Sequence, residues 1–169
     1  MKKNTCNSLL RFCAPLLLIL LVLLGCSEDI SRPDPAVQGL KDGVQWRAND
    51  QYAVLHQDGS ISVIGLTQYE TLTMTVQNHN EATFIFGDSA TRIANFTDTS
   101  GDNEISFSTG LNVGDGQLII EDYDEVANTV TGTFRFNAVN DQQDPETGEI
   151  LNFQQGHFYK VPVIPAGEL

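Results

Sequence analysis

Thr129-Val-Thr-Gly-Thr-Phe-Arg-Phe-Asn-Ala138 puts Val130, Gly132, Phe134, Phe136 and Ala138 on one parity, and Thr129, Thr131, Thr133, Arg135 and Asn137 on the other. A strict period of two arises when one face of a strand packs on a core and the other meets water. A helix would gather its apolar residues at i, i+3, i+4 and i+7, and no stretch after Cys26 sustains that spacing for long. The segment therefore predicts a half-buried antiparallel strand.

The same period runs outward from it. Val44, Trp46 and Ala48 alternate with Gln45 and Arg47, and Leu72, Met74 and Val76 alternate with Thr71, Thr73, Thr75 and Gln77. Turn formers separate such runs. Asp58-Gly59 between Tyr52–His56 and Ser60–Leu66 predicts a two-residue hairpin, Gly114-Asp115-Gly116 precedes Leu118 and Ile120, and Thr147-Gly148 closes the polar loop Asn140–Gly148. Parity breaks once: Leu151 and Phe153 are odd, Phe158 is even. An extra residue at Gln154-Gln155-Gly156 restores the apolar face, so a bulge is predicted there. Nine or ten short strands at this spacing give an all-β fold, a single antiparallel β-sandwich or small β-barrel-like domain.

The start of the chain has a different logic. Lys2, Lys3 and Arg11 precede an apolar run ending Leu23-Leu24-Gly25-Cys26. The run falls short of the roughly 20 residues that a membrane span needs. Its basic flank and small residue before a break read as a secretory signal over residues 1–25. The junction resembles the lipobox of bacterial lipoproteins, which implies cleavage before Cys26 and its lipidation. Residues 26–41, with Pro33, Pro35, Gly39 and few apolar side chains, read as an acidic, proline-bearing tether, and residues 42–169 as one β domain.

Composition narrows the function. The whole chain carries a formal −13; after Cys26 six basic residues face all 22 acidic ones, a formal −16. That field repels phosphate backbones and anionic headgroups, which disfavours nucleic-acid binding and electrostatic membrane docking. Membrane attachment through Cys26 then rests on acyl chains, of which two or more anchor stably. Cys6 and Cys13 leave with the signal, so no disulfide supports the domain and its core must suffice.

Gly116-Gln-Leu-Ile-Ile-Glu-Asp-Tyr-Asp124, then Asn128–Ala138, then Leu151-Asn-Phe-Gln-Gln-Gly-His-Phe158, preceded by Gly43-Val-Gln-Trp-Arg-Ala48, resembles a family of small uncharacterised all-β lipoproteins common in Bacteroidota. The resemblance extends over most of residues 43–161, with Asp141–Glu149 as a longer insert. It implies an all-β lipoprotein domain of unknown function and carries over no catalytic residue. The shared glycines, aromatics and turn formers describe a scaffold, and function on a scaffold is argued from a site.

Few residues carry chemistry. His56, His79 and His157 lie far apart without zinc-ligand spacing, and there is no G-x-S-x-G, P-loop or dinucleotide fingerprint. Carboxylates gather at Asp98, Asp102 and Glu104, at Glu121, Asp122, Asp124 and Glu125, and at Asp141, Asp144, Glu146 and Glu149. The third group, on a long insert, is the first place to look for calcium, though no metal or other cofactor is assigned. Asp88-Ser89-Ala90 resembles the site at which Bacteroidota attach O-linked glycans, making Ser89 a glycosylation candidate. Asn95-Phe96-Thr97 matches a sequon that means little in a bacterium. Trp46, Phe84, Phe86, Phe134, Phe136, Phe153 and Phe158 either fill a core or line a ligand cavity.

The expectation is a lipid-anchored envelope or cell-surface lipoprotein, a non-enzymatic binding or accessory module for a glycan or protein ligand. The alternatives are a lipocalin-like carrier of a small apolar ligand and a carboxylate-dependent hydrolase. Ser27 in place of aspartate after the lipidated cysteine argues by analogy against inner-membrane retention. Glu28-Asp29 resembles acidic surface-export signals, which points to the outer membrane, on its periplasmic or outer side.

Overall fold

The computed structural model of the chain describes residues 36–142, 148–165 and 167. They form eleven strands and no helix. These are β1 (Ala36–Lys41), β2 (Val44–Arg47), β3 (Asp50–Leu55), β4 (Ile61–Leu66), β5 (Glu70–Val76) and β6 (Ala82–Phe86), then β7 (Ile93–Asp98), β8 (Ile105–Ser108), β9 (Asp115–Asp124), β10 (Thr129–Asn140) and β11 (Ile150–Pro165). The alternating segment quoted first is most of β10, buried and half-exposed residues succeeding one another as its period requires.

Hydrogen bonds link all eleven strands into one system in the order β2-β1-β11-β3-β4-β5-β7-β8-β10-β9-β6, and β11 also pairs with β10. That last pairing closes a ring through β11, β3, β4, β5, β7, β8 and β10. The ring is a closed barrel with two layers, β2-β1-β11-β10-β9-β6 on one side and β3-β4-β5-β7-β8 on the other. The corners are short. β11 meets β3 through Val163↔Ala53 to Pro165↔Leu55, and β10 meets β8 through Val139↔Ser108 and Asn140↔Phe107. The β11–β3 corner is parallel, whereas the sequence predicts antiparallel pairing throughout, and the structure has eleven strands rather than nine or ten. Parallel pairing follows because β11 overruns β1 and continues past it onto β3.

The predicted bulge in β11 is present, and a second follows it. Phe134 pairs with Gly156 but Phe136 pairs with Phe153, so β11 carries one residue more than β10; Gln155 there has φ 50°. Val130 pairs with Val161 and Gly132 with Phe158, another extra residue, with Lys160 at φ 46°. Inward side chains therefore change parity twice, from Leu151 and Phe153 to Gly156 and Phe158, then to Val161 and Val163. The first bulge has room because Gly39 of β1 faces Gly156, whose added Cβ would lie 2.5 Å from the Phe134 ring.

Two Asp-Gly pairs make two different turns. Asp42-Gly43 joins β1 to β2 with Lys41 opposite Val44, both central residues at positive φ as a type I′ hairpin requires. The tether predicted to reach Lys41 thus ends earlier: Ala36–Lys41 pairs with both β2 and β11, and Ala36 and Val37 are buried. Three apolar residues in six gave the segment a linker-like composition, yet the interstrand ladder holds it. At Asp58-Gly59 the predicted hairpin forms with a three-residue loop instead of two. The His56 N–H donates to the Ser60 carbonyl, the Gly59 N–H donates to the His56 carbonyl, and Gly59 has φ 86°.

One continuous core fills the space between the layers. Phe153 sits at its centre, its ring centroid 5.1 Å from Phe136, 5.5 Å from Trp46, 5.8 Å from Phe96 and 5.9 Å from Phe134. All seven aromatic residues named from the sequence are buried. Trp46 brings a polar N–H inward with it, and Glu70 of β5, in the opposite layer, accepts it at 2.7 Å. The same carboxylate pairs with Lys41, whose ammonium lies 4.8 Å from the centre of the Phe96 ring. Glu70 therefore fastens the β1–β2 hairpin to the far layer.

Two substitutions test this packing. A Cβ at Gly132 would collide with the Ile119 carbonyl oxygen and the Phe158 ring. Gly132→Ala is expected to cost at least the ~1–3 kcal/mol typical of overpacking, read by urea denaturation; a loss below about 0.5 kcal/mol contradicts the packing. Glu70→Ala strands the Trp46 N–H and the Lys41 charge and is expected to cost about 1–3 kcal/mol. Glu70→Gln, which keeps an acceptor for the indole, should recover part of that; equal losses in the two variants would show that Trp46 does not depend on it.

Candidate functional site

The six-stranded layer turns its polar face outward, and register places its side chains in rows. Arg47, Gln38, His157, Thr133, Ile119 and Thr83 lie opposite one another across β2, β1, β11, β10, β9 and β6. With strands about 4.8 Å apart, Arg47 stands roughly 14 Å from Thr133. The row is wired: the Arg47 guanidinium donates to Gln38 Oε1 at 3.3 Å, and Gln38 Nε2 donates to His157 Nε2 at 2.5 Å. One step along β10, Arg135 faces Gln117, whose Oε1 accepts from it at 3.3 Å. A further step on, Asn152 Nδ2 donates to Asn137 Oδ1 at 2.5 Å and Asn137 Nδ2 to Asp115 Oδ1 at 2.9 Å.

Two clefts open on this face. One, of about 260 Å³, is lined by Gln117, Thr133, Arg135, Gln155 and His157, with Phe134 and Gly156 between them. The other, of about 290 Å³, runs past Ile85, Asp115, Asn137 and Gln154. They meet at Gln117 and Arg135, which line both. The bulge positions Gln155 at the first cleft: the extra residue in β11 lets Gln155 point outward while Phe153 and Phe158 stay in the core.

Charge is distributed unevenly. Among the described residues only two ion pairs form, Lys41 with Glu70 and Arg92 with Asp88 at 2.7 Å. Arg47, Arg135 and Lys160 have no carboxylate partner there, although acidic residues outnumber basic ones 22 to 9 in the chain. All three belong to the six-stranded layer, and Lys160 stands on the second bulge, where its N–H donates to Thr131 Oγ1 at 3.0 Å.

The residues singled out from sequence do not converge. His56 Nε2 meets Ser62 Oγ at 2.8 Å beside the β3–β4 loop, His79 lies 4.4 Å from the Tyr123 ring, and His157 belongs to the outer face. Asp141 accepts from Ser106 Oγ at 2.9 Å and Ser108 Oγ at 2.5 Å, and Glu149 is exposed. Asp144 and Glu146, like Cys26 and the signal segment, lie outside the described residues. No group of three or more His, Cys, Asp or Glu side chains suited to a metal ion occurs among the described residues. Ser89 Oγ accepts from the Thr91 N–H at 3.1 Å in the loop between β6 and β7. Asn95-Phe96-Thr97 lies within β7, its Phe96 buried in the core.

The sequence did not single out Gln117, Gln155 or Arg135 as a group, nor Glu70. Arg135 carried a signal of its own, since a cation on the wet parity of a strand is notable in so acidic a chain. Gln155 carried another, as the residue the parity break makes superfluous.

Among the described residues two carboxylates are held below their ordinary value, Asp58 by the Ser60 hydroxyl and N–H in an exposed turn, and the partly buried Asp98. Partial burial pushes the Asp98 carboxyl upward, but the Ser100 hydroxyl and backbone N–H, with the nearby Lys41 charge, outweigh this. A lowered native value stabilises the fold above the ordinary carboxylate range and loses that contribution as pH falls through it. Urea midpoints of Asp98→Asn and the parent should therefore differ by a constant amount from neutral pH to about pH 5 and converge below about pH 4. A gap unchanged at acid pH would contradict the assignment.

A model of the family described as a domain of unknown function (DUF6252) matches residues 33–162, beginning just ahead of β1. No curated protein and no solved structure matches the chain.

Proposed function

We propose that this chain, which belongs to the family of domains of unknown function DUF6252, is a lipid-anchored envelope or surface protein whose β domain acts as a non-enzymatic binding module. The observation that carries the reading is the outer face of the six-stranded layer, where two adjoining clefts share Gln117 and Arg135. Such a face suits recognition: rigid strands hold the side chains in register, and cross-strand hydrogen bonds fix their directions. The inward aromatics pack on one another, so the polar clefts outside the core favour a ligand held on the face over an apolar one carried within.

The anchor supports the same reading. Acyl chains on Cys26 would hold the domain at a membrane without help from its surface charge, leaving the face for a ligand. The stretch from Ser27 to the start of β1 would set the domain off from the bilayer. Outer-membrane placement, on the periplasmic or the exposed side, follows from Ser27 and Glu28-Asp29 by the analogy already drawn.

Cells fed an alkyne-bearing palmitate analogue test the anchor. The parent should incorporate the label and partition into detergent, and Cys26→Ser should do neither. Label that persists in Cys26→Ser would overturn lipidation at that residue. Protease shaving of intact cells then decides the side, since only a surface-exposed domain is digested.

A further inference from the structure

We propose that the paired clefts on β9, β10 and β11 form a binding site for an anionic saccharide, a sugar chain bearing carboxylate or sulfate groups; this rests on the binding-module reading above. Its first support is the chemistry of the lining. Gln117, Gln154, Gln155 and Asn137 each present both donor and acceptor, and Thr133 adds a hydroxyl. Vicinal sugar hydroxyls also donate and accept, so such a lining satisfies them in many orientations. Asp115, which accepts from Asn137 through one oxygen, has a second for a hydroxyl.

The second support is charge. Arg47, Arg135 and Lys160 lack carboxylate partners among the described residues of a chain with 22 acidic groups. Arg135 stands where the two clefts meet, held by Gln117 through a single side-chain hydrogen bond. Its planar fork offers further donors to a carboxylate or sulfate. Two carboxylates stand close by, Asp115 in the second cleft and Glu121, which accepts from Thr133 Oγ1 at 3.4 Å. The anionic group therefore belongs at Arg135 and the neutral hydroxyls at Asp115 and Thr133. Carboxylates farther off are screened over about 8 Å at physiological salt.

A protein partner fits this face less well. β9, β10 and β11, which carry Gln117, Arg135 and Gln155, are hydrogen-bonded on both edges, so a partner strand could add only at the ends of the layer, β2 or β6, and not at Arg135. The clefts offer Ile85 as their one exposed aliphatic side chain, where protein interfaces concentrate binding in buried aromatic and aliphatic anchors.

Affinity electrophoresis of the acylated protein in a non-sugar polyoxyethylene detergent tests the site, with polygalacturonate, dextran or polyglutamate cast in the gel. Polygalacturonate should retard the protein, and dextran and polyglutamate should not. Arg135→Gln, at an exposed position, should weaken the retardation about tenfold with its melting temperature unchanged, the effect of losing one charge-assisted hydrogen bond. Arg135→Lys should fall between. Equal retardation by dextran would overturn the anionic requirement, and equal retardation by polyglutamate would overturn the saccharide. Retardation by none of the three, or retardation unaffected by Arg135→Gln, would overturn the site. Acyl labelling and shaving of the same protein would still report separately on the anchored module.

Discussion

The fold depends on the way β11 is bent. One edge of this strand pairs with β10 along most of its length, while the other is shared by β1 and then β3. A straight strand cannot serve both layers and keep its apolar residues inside, because a slip of one residue turns every side chain to the other face. Two extra residues resolve the conflict, each at positive φ, Gln155 and Lys160. Left-handed backbone costs roughly 1–2 kcal/mol per residue. Burying Phe158, Val161 and Val163 gains about 1.5–3 kcal/mol each, so the bends are favourable by a clear margin.

The same bends create the outer face. Where β11 carries its first extra residue, Gln155 is released from the inward-outward alternation and joins Thr133, Arg135 and His157 along one cleft. The second places Lys160 outward beside Thr131. Closure of the ring and the proposed ligand site thus have one origin in the backbone. Glu70 holds the arrangement from the opposite layer by accepting from Trp46, so the hairpin that brings Arg47 to the face is also fixed across the core.

The parts legible in sequence were those governed by local period. Thr129–Ala138 announced its strand and its two faces, and the change from Phe153 to Phe158 announced a bulge. The second bulge was equally visible, since Val161 and Val163 return to odd parity after Phe158, but the pattern must be followed to the end of the strand to show it. β1 was hidden because its six residues have little alternation, and only Asp42-Gly43 marked the hairpin that begins there. Glu70 and the Arg135–Gln117 pairing depend on contacts between distant segments, 24 residues apart for Glu70 and Trp46 and 18 for Arg135 and Gln117. No local pattern encodes such contacts. Asp141 is a like case, meeting Ser106 and Ser108, neighbours that sequence proximity does not suggest.

The most direct test of the ligand face is a backbone amide NMR titration with a short oligogalacturonate. Saturable shifts are expected at Gln117, Thr133, Arg135, Gln155 and His157, with unchanged resonances in β4, β5 and β7 of the opposite layer. Shifts centred on the opposite layer, or none at all, would contradict a ligand site on β9, β10 and β11.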